Sequence, residues 1–221
     1  MELRPLAMGD QIADRLRVDI IKGAIPDDTH LAEDGLAARF DVSRGPVRDA
    51  LRQLEVEGLV ESRRKRIYAR ALGLRDVEDL YALRGALETL AIRLAVVDGS
   101  SSEWDGVQDI VDEMAAAGAA GDAERFARAD MAFHTAFYVI AGNRRLLEAW
   151  RPYQRTFAVL FEMSDTPDIA SATEDHQGFL DVVRSGDVEA AVDRLHGHLD
   201  SAKAHVRRAL DARDDLVGVE A

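Results

Sequence analysis

The stretch VSRGPVRDALRQLEVEGLV, residues 42–60, constrains the fold more than any other part of the chain. Ser43 is a good helix N-cap, and Pro46 falls in the first helical turn, where its missing N–H costs nothing. Val42 and Val47 occupy the two positions of a hydrophobic staple. Val47, Ala50, Leu51 and Leu54 then repeat at i, i+3, i+4 and i+7, the buried stripe of an amphipathic helix. Arg44, Arg48 and Arg52 step by four and form a second stripe, rotated away from the first. Gly58 ends the helix. LVESRRKRIYAR follows and reads as two short strands, Leu59–Ser62 and Arg66–Arg70, around a basic turn. Upstream, residues 8–22 place Ile12, Leu16 and Ile20 at helical spacing before Gly23. A short helix over Glu33–Phe40 groups Leu36, Ala37 and Phe40. Two helices, an arginine-faced helix and a basic hairpin make the outline of a winged helix-turn-helix.

Charge agrees with that outline once it is divided along the chain. The whole carries a formal net charge of −13. Residues 1–70, however, hold 13 basic and 13 acidic residues, against 15 and 28 over 71–221. A polyanion would meet only the first end. Arginines on such a helix suit guanine O6 and N7 in the major groove or phosphates, and Arg64, Lys65 and Arg66 suit the neighbouring backbone. The bland alternative is an exposed helix whose arginines are solvated or paired with Asp49 and Glu55.

From Leu74 onward the pattern is almost continuously helical. Candidate helices span 75–97, 102–117, 122–141, 144–163, 169–184 and 188–213, with short breaks that favour antiparallel neighbours. The expected fold is mainly α, a winged helix-turn-helix over residues 1–70 followed by an all-helical antiparallel bundle. Residues 71–75 form the linker, and 76–221 the second domain. There are no cysteines, which excludes disulfides and thiolate metal sites. No window approaches the roughly 18 apolar residues of a membrane span, so a cytoplasmic protein is expected.

The bundle also holds a candidate metal set. Asp130 and His134 lie one helical turn apart on one side. His176 opens a later helix, and the last helix offers His196, His198 and His205. Three imidazoles and a carboxylate converging inside a bundle would suit Zn²⁺, Ni²⁺ or a similar divalent ion. Taken singly, each histidine is more often a hydrogen-bonded structural residue. Periodicity does not choose among the last three.

The segment LAEDGLAARFDVSRGPVRDALRQLEVEGLV resembles the signature of the GntR family of bacterial transcription regulators. The pieces LYALRGALETLAIRLA, DMAFHTAFYVIAGNRRL and EDHQGFLDVVRSGDVEAAVDRLHGHL resemble the FadR-type effector domain, the FCD domain. Six candidate helices look more like its six-helix VanR branch than the seven-helix FadR branch. The resemblance implies DNA contacts at Ser43, Arg44 and Arg48. It implies metal ligation by Asp130, His134, His176 and His198, the spacing from Gly186–Asp187 selecting His198. It also implies a small organic acid bound beside the metal, its anionic end met by Arg84. Two departures stand out. Asp34 and Gly35 follow Glu33 where many members carry an arginine or similar polar residue, and RRKRIYAR lacks the usual wing glycine. An acid at 34 cannot hold a phosphate, and the wing turn must differ.

The function expected is a ligand-responsive DNA-binding regulator, not an enzyme, acting as a homodimer on a palindromic double-stranded operator, because one small head reads only a few base pairs. Three rivals are a sensor of the metal alone, a metal-dependent enzyme that activates water, and a DNA-binding protein with a vestigial effector domain.

Overall fold

The computed structural model describes residues 7–164 and 169–219, with side chains described over 7–164 and 172–214. They divide into two compact units between Gly73 and Leu74.

The first unit runs α1 (Met8–Ile21), α2 (Glu33–Phe40), α3 (Arg44–Val56), β1 (Val60–Arg63) and β2 (Arg66–Ala69). The stripes anticipated from spacing are the ones that pack. Ile12, Leu16 and Ile20 of α1 are buried with Leu36 of α2 and with Val47, Ala50, Leu51 and Leu54 of α3. Arg17 lies inside this core, yet its charge is answered. Its Nε and Nη2 each donate to Glu57 at 2.6 Å, a two-pronged pairing that satisfies both carboxylate oxygens. Ser43 stands at the N-cap of α3, but its hydroxyl makes no capping bond.

The hairpin explains how the wing does without glycine. β1 and β2 pair antiparallel out to Arg63 opposite Arg66, leaving a loop of two residues. Those residues, Arg64 and Lys65, both adopt left-handed backbone, with φ of 50° and 66°. This is the geometry that two-residue hairpins need and that Asn-Gly supplies most readily. For other L-residues it costs roughly 1–2 kcal/mol each. Replacing Arg64–Lys65 by Asn-Gly should therefore raise the urea midpoint of this unit, by about 1–2 kcal/mol of stability. The same change should weaken DNA binding, because two cations leave the tip. A lower midpoint would contradict the turn geometry.

The second unit, Leu74–Asp214, comprises α4 (Leu74–Asp98), α5 (Ser101–Ala120), α6 (Ala123–Ile140), α7 (Arg144–Trp150), α8 (Gln154–Met163), α9 (Ile169–Arg184) and α10 (Val188–Val219) as far as Asp214. Side-chain caps start several helices. Ser100 and Glu103 form a reciprocal capping box on α5, and Asp122 and Asn143 cap α6 and α7. The single helix expected over 144–163 is instead two, joined by a 3₁₀ turn at Arg151–Tyr153. Pro152 is the cause, since it has no N–H for the carbonyl of Glu148 and its ring crowds that turn. The count of six that favoured the VanR-like branch thus becomes seven α-helices among the described residues. α4 also begins at Leu74, earlier than the expected end of the linker at 75.

α6 runs through the middle of this unit and packs against α4, α5, α7 and α8. Its Phe126, Phe133 and Phe137 are buried, as are Phe179 of α9 and Leu195 and Leu199 of α10. Trp150 is fully buried, stacked on Tyr138 with ring centres 5.2 Å apart. This aromatic packing fixes the backbone from which the polar residues of the centre project.

Candidate metal centre and DNA-reading face

Four residues from three helices converge in the second unit. Asp130 and His134 come from α6, His176 from α9 and His198 from α10, and their ligand atoms lie within 4.8 Å of one another. Asp130, His134 and His176 are buried. Asp130 Oδ1 lies 3.0 Å from His176 Nε2 and 4.0 Å from His134 Nε2. The Nε2 atoms of His134 and His198 are 3.1 Å apart.

The outer face of each imidazole decides what its inner face offers. His134 Nδ1 meets Glu88 Oε1, His176 Nδ1 meets the Ala172 carbonyl at 2.7 Å, and His198 Nδ1 meets Asp175 Oδ2 at 2.8 Å. Carboxylates and carbonyls accept hydrogen bonds, so in the neutral ring each Nδ1 carries the proton and donates it. Each Nε2 is then left with a lone pair directed at the others and at Asp130. His176 Nε2 is buried with no aligned hydrogen-bond partner. Four electron-rich atoms facing one another repel, and a divalent cation turns that repulsion into coordination. The donor set therefore fits a metal, and the Nδ1 contacts are the outer bonds that orient metal-binding histidines.

The electrostatics agree for His134, His198 and Asp130. Burial, with help from the Arg84 charge, holds His134 well below the usual imidazole range, so it stays neutral. Burial also lowers His198, against the opposing pull of Asp175. For Asp130 burial alone would push upward, but His176, His134 and Arg84 outweigh it and keep the carboxylate ionised. His176 is lowered by burial and raised more strongly by Asp130, so a proton and a cation compete for its lone pair.

Beside the cluster opens a cavity of about 630 Å³. Asp130, His176 and His198 line it, together with Arg84, Tyr81 and Arg194. Arg84 is buried on α4; its Nε donates to Glu88 Oε2 at 3.0 Å and its Nη2 has no partner. The rings of Phe157 and Trp150 lie under its guanidinium, 4.9 and 5.6 Å from Cζ. His198 joins the cluster, while His196 pairs with Thr89 at 3.1 Å and His205 with the Ser201 carbonyl at 2.9 Å. Sequence reasoning missed Glu88 and Asp175. A signal for Glu88 existed: it follows Arg84 by one turn, and both fall on the face of α4 that carries Tyr81 and Ala91.

In the first unit Ser43, Arg44, Arg48 and Arg52 are exposed along α3, and Arg64, Lys65 and Arg66 are exposed at the hairpin tip. Arg48 Nε donates to Glu33 Oε2 at 2.7 Å, and Arg44 pairs with Asp34. Arg52 Nη1 lies 3.5 Å from Asp49. Pairing with Asp49 was anticipated for this stripe; pairing of Arg44 and Arg48 with the acids of α2 was not. Asp34, the residue unable to hold a phosphate, instead holds Arg44.

Residues 8–67 match the bacterial regulatory proteins of the gntR family, and residues 79–201 match the FCD domain. The chain belongs to the GntR family and carries an FCD domain. This GntR-family chain is 31% identical over 211 residues to the "Probable D-xylose utilization operon transcriptional repressor" of Paenarthrobacter nicotinovorans, covering 93% of this chain and 92% of that one. It is 27% identical to the "Gluconate operon transcriptional repressor" of Bacillus licheniformis, covering 90% and 84%. Its fold matches the solved structure of E. coli McbR/YncC with a TM-score of 0.71 at 20% identity, over 92% of this chain and 99% of that one. The GntR-family chain is thus a DNA-binding transcriptional regulator, and its relatives are regulators rather than enzymes. Among the described residues no helix is long and apolar enough to cross a membrane.

Proposed function

We propose that a small organic acid controls the operator affinity of this regulator, binding beside a divalent metal held by Asp130, His134, His176 and His198. One observation carries the reading. Three Nε2 lone pairs and a carboxylate converge at the wall of a cavity that a buried arginine also lines. Zinc suits a set of three imidazoles and one carboxylate, and nickel is the nearest competitor. Arg84 would receive the anionic end of the acid. A sugar acid is the first class to screen, since one relative is named for the gluconate operon; lactate-like hydroxy acids and dicarboxylates follow.

On the DNA side, Ser43, Arg44, Arg48 and Arg52 would face the major groove, and Arg64, Lys65 and Arg66 the adjoining backbone. Two heads in a homodimer would read a palindrome from the cytoplasm, where the operator lies. The acid and metal would favour one arrangement of the bundle, and residues 71–75 would pass that preference to the heads as a population shift.

Mass spectrometry of the purified native protein tests the first step. Near one divalent ion per chain is expected, and none in His134→Ala. Titration of operator binding with candidate acids at constant zinc tests the second. A metal-only sensor would respond to zinc and ignore every acid, and the cavity beside the cluster favours the acid.

A further inference from the structure

The metal cluster and the cavity share one buried connection that neither requires. Glu88 on α4 is fully buried and uses both carboxylate oxygens. Oε2 accepts from Arg84 Nε at 3.0 Å, and Oε1 meets His134 Nδ1. Beyond the imidazole, His134 Nε2 faces His198 and Asp130. On the other side, Arg84 lines the cavity and leaves its buried Nη2 without a partner. The path is thus unbroken, from cavity to guanidinium to carboxylate to imidazole to ligand atom.

We propose that Glu88 is a positioning residue that couples the acid cavity to the metal centre, through its two bonds to Arg84 and His134. The inference rests on the metal and acid reading above. The physical step is a sharing of charge. A carboxylate bound by both a guanidinium and an imidazole N–H divides its electron density between them. When Nη2 of Arg84 donates to a second anion, the guanidinium holds Glu88 less tightly, and Glu88 polarises the His134 N–H more. A more polarised N–H makes Nε2 a stronger donor to the metal. Reciprocity then requires that the metal strengthen binding of the acid by the same factor. Asp175 orients His198 in a similar way, but its remaining bond goes to Arg194 and not to Arg84. Among the described residues, Glu88 alone therefore bridges a histidine of the cluster to Arg84.

The test measures zinc dissociation constants by chelator competition on the full-length protein, in sodium acetate and in sodium chloride of equal ionic strength. Acetate is expected to tighten zinc in the wild type. Glu88→Gln is expected to weaken zinc by about 10–100-fold. A glutamine that still accepts from Arg84 turns its NH₂ toward His134 and reverses the imidazole tautomer. Arg84→Lys keeps a cation beside Glu88 but removes the second arm, so the change in zinc affinity between chloride and acetate should shrink. Absorption of the cobalt-substituted proteins gives a second readout, with d–d bands that shift on adding acetate in the wild type and not in Arg84→Lys. Zinc affinity of Glu88→Gln within threefold of wild type, or an undiminished acetate effect in Arg84→Lys, overturns the coupling. If Glu88→Gln does not fold, Glu88→Asp replaces it, since a shorter carboxylate cannot reach both Arg84 and His134: weakened zinc binding is expected, and affinity within threefold of wild type overturns the coupling. A wild-type protein that binds no zinc defeats the metal reading itself, a result distinct from normal wild-type binding with unaltered variants.

Discussion

Chelation of the metal is expected to destabilise the C-terminal unit by about 4 kcal/mol, where free metal had stood a thousandfold above its dissociation constant. The sign follows from the cluster. A bound cation would satisfy three imidazole lone pairs and Asp130; without it the same atoms face one another inside a buried site. Unfolding disperses them into water, so the folded state loses the binding free energy while the unfolded state loses little. The measurement can be confined to the right unit. Both tryptophans, Trp104 and Trp150, lie beyond Gly73, and Trp150 is fully buried beside Arg84. Tryptophan fluorescence on heating therefore reports this unit without contribution from the N-terminal one. The midpoint should fall on adding chelator to the wild type, and should not move in His134→Ala. A wild-type curve indifferent to chelator would show that the four residues hold one another by hydrogen bonds alone.

What the sequence made legible follows from which interactions are local. The arginine-faced helix was readable because cap, staple and apolar stripe all fall within residues 42–58, and the buried set is the one that spacing predicts. The break at Pro152 was also local, yet the apolar pattern continues across it, so periodicity bridged two helices that the backbone separates. The candidate site was legible only in part. Asp130 and His134 are one turn apart and announce each other. The choice of His198 over His196 depends on how α10 is rotated against α4 and α6, which angles on the isolated helix leave undecided. Glu88 was missed for a related reason. A glutamate in an apolar helix reads as surface charge until the cation and imidazole that neutralise it are placed around it. The pairing of Arg44 and Arg48 with Asp34 and Glu33 likewise joins two helices, and only the packing of α2 on α3 reveals it.

Replacing Arg44 and Arg48 together by alanine should cost about 2–6 kcal/mol of specific DNA binding, since one bidentate base contact is worth about 1–3 kcal/mol. The two side chains are separated by one turn of α3, about 6 Å along its axis. That is close to two base-pair steps, so each can meet its own base pair and the losses should nearly add. Their present partners do not prevent this. The pairs with Asp34 and Glu33 are exposed, and exposed pairs contribute about 0–1 kcal/mol, less than the base contact that would replace them. Arg64 and Lys65 provide the contrast. Alanine at these wing positions should weaken binding to all duplexes alike and reduce the salt dependence of log K by about 0.9 per lost phosphate contact. The comparison needs duplexes selected from a random pool by the wild type, then each variant measured on selected and scrambled sequences across salt. Loss of preference for the selected duplex in the α3 variant, with preference retained in the wing variant, is the expected pattern. Equal preference in both would move sequence reading away from α3.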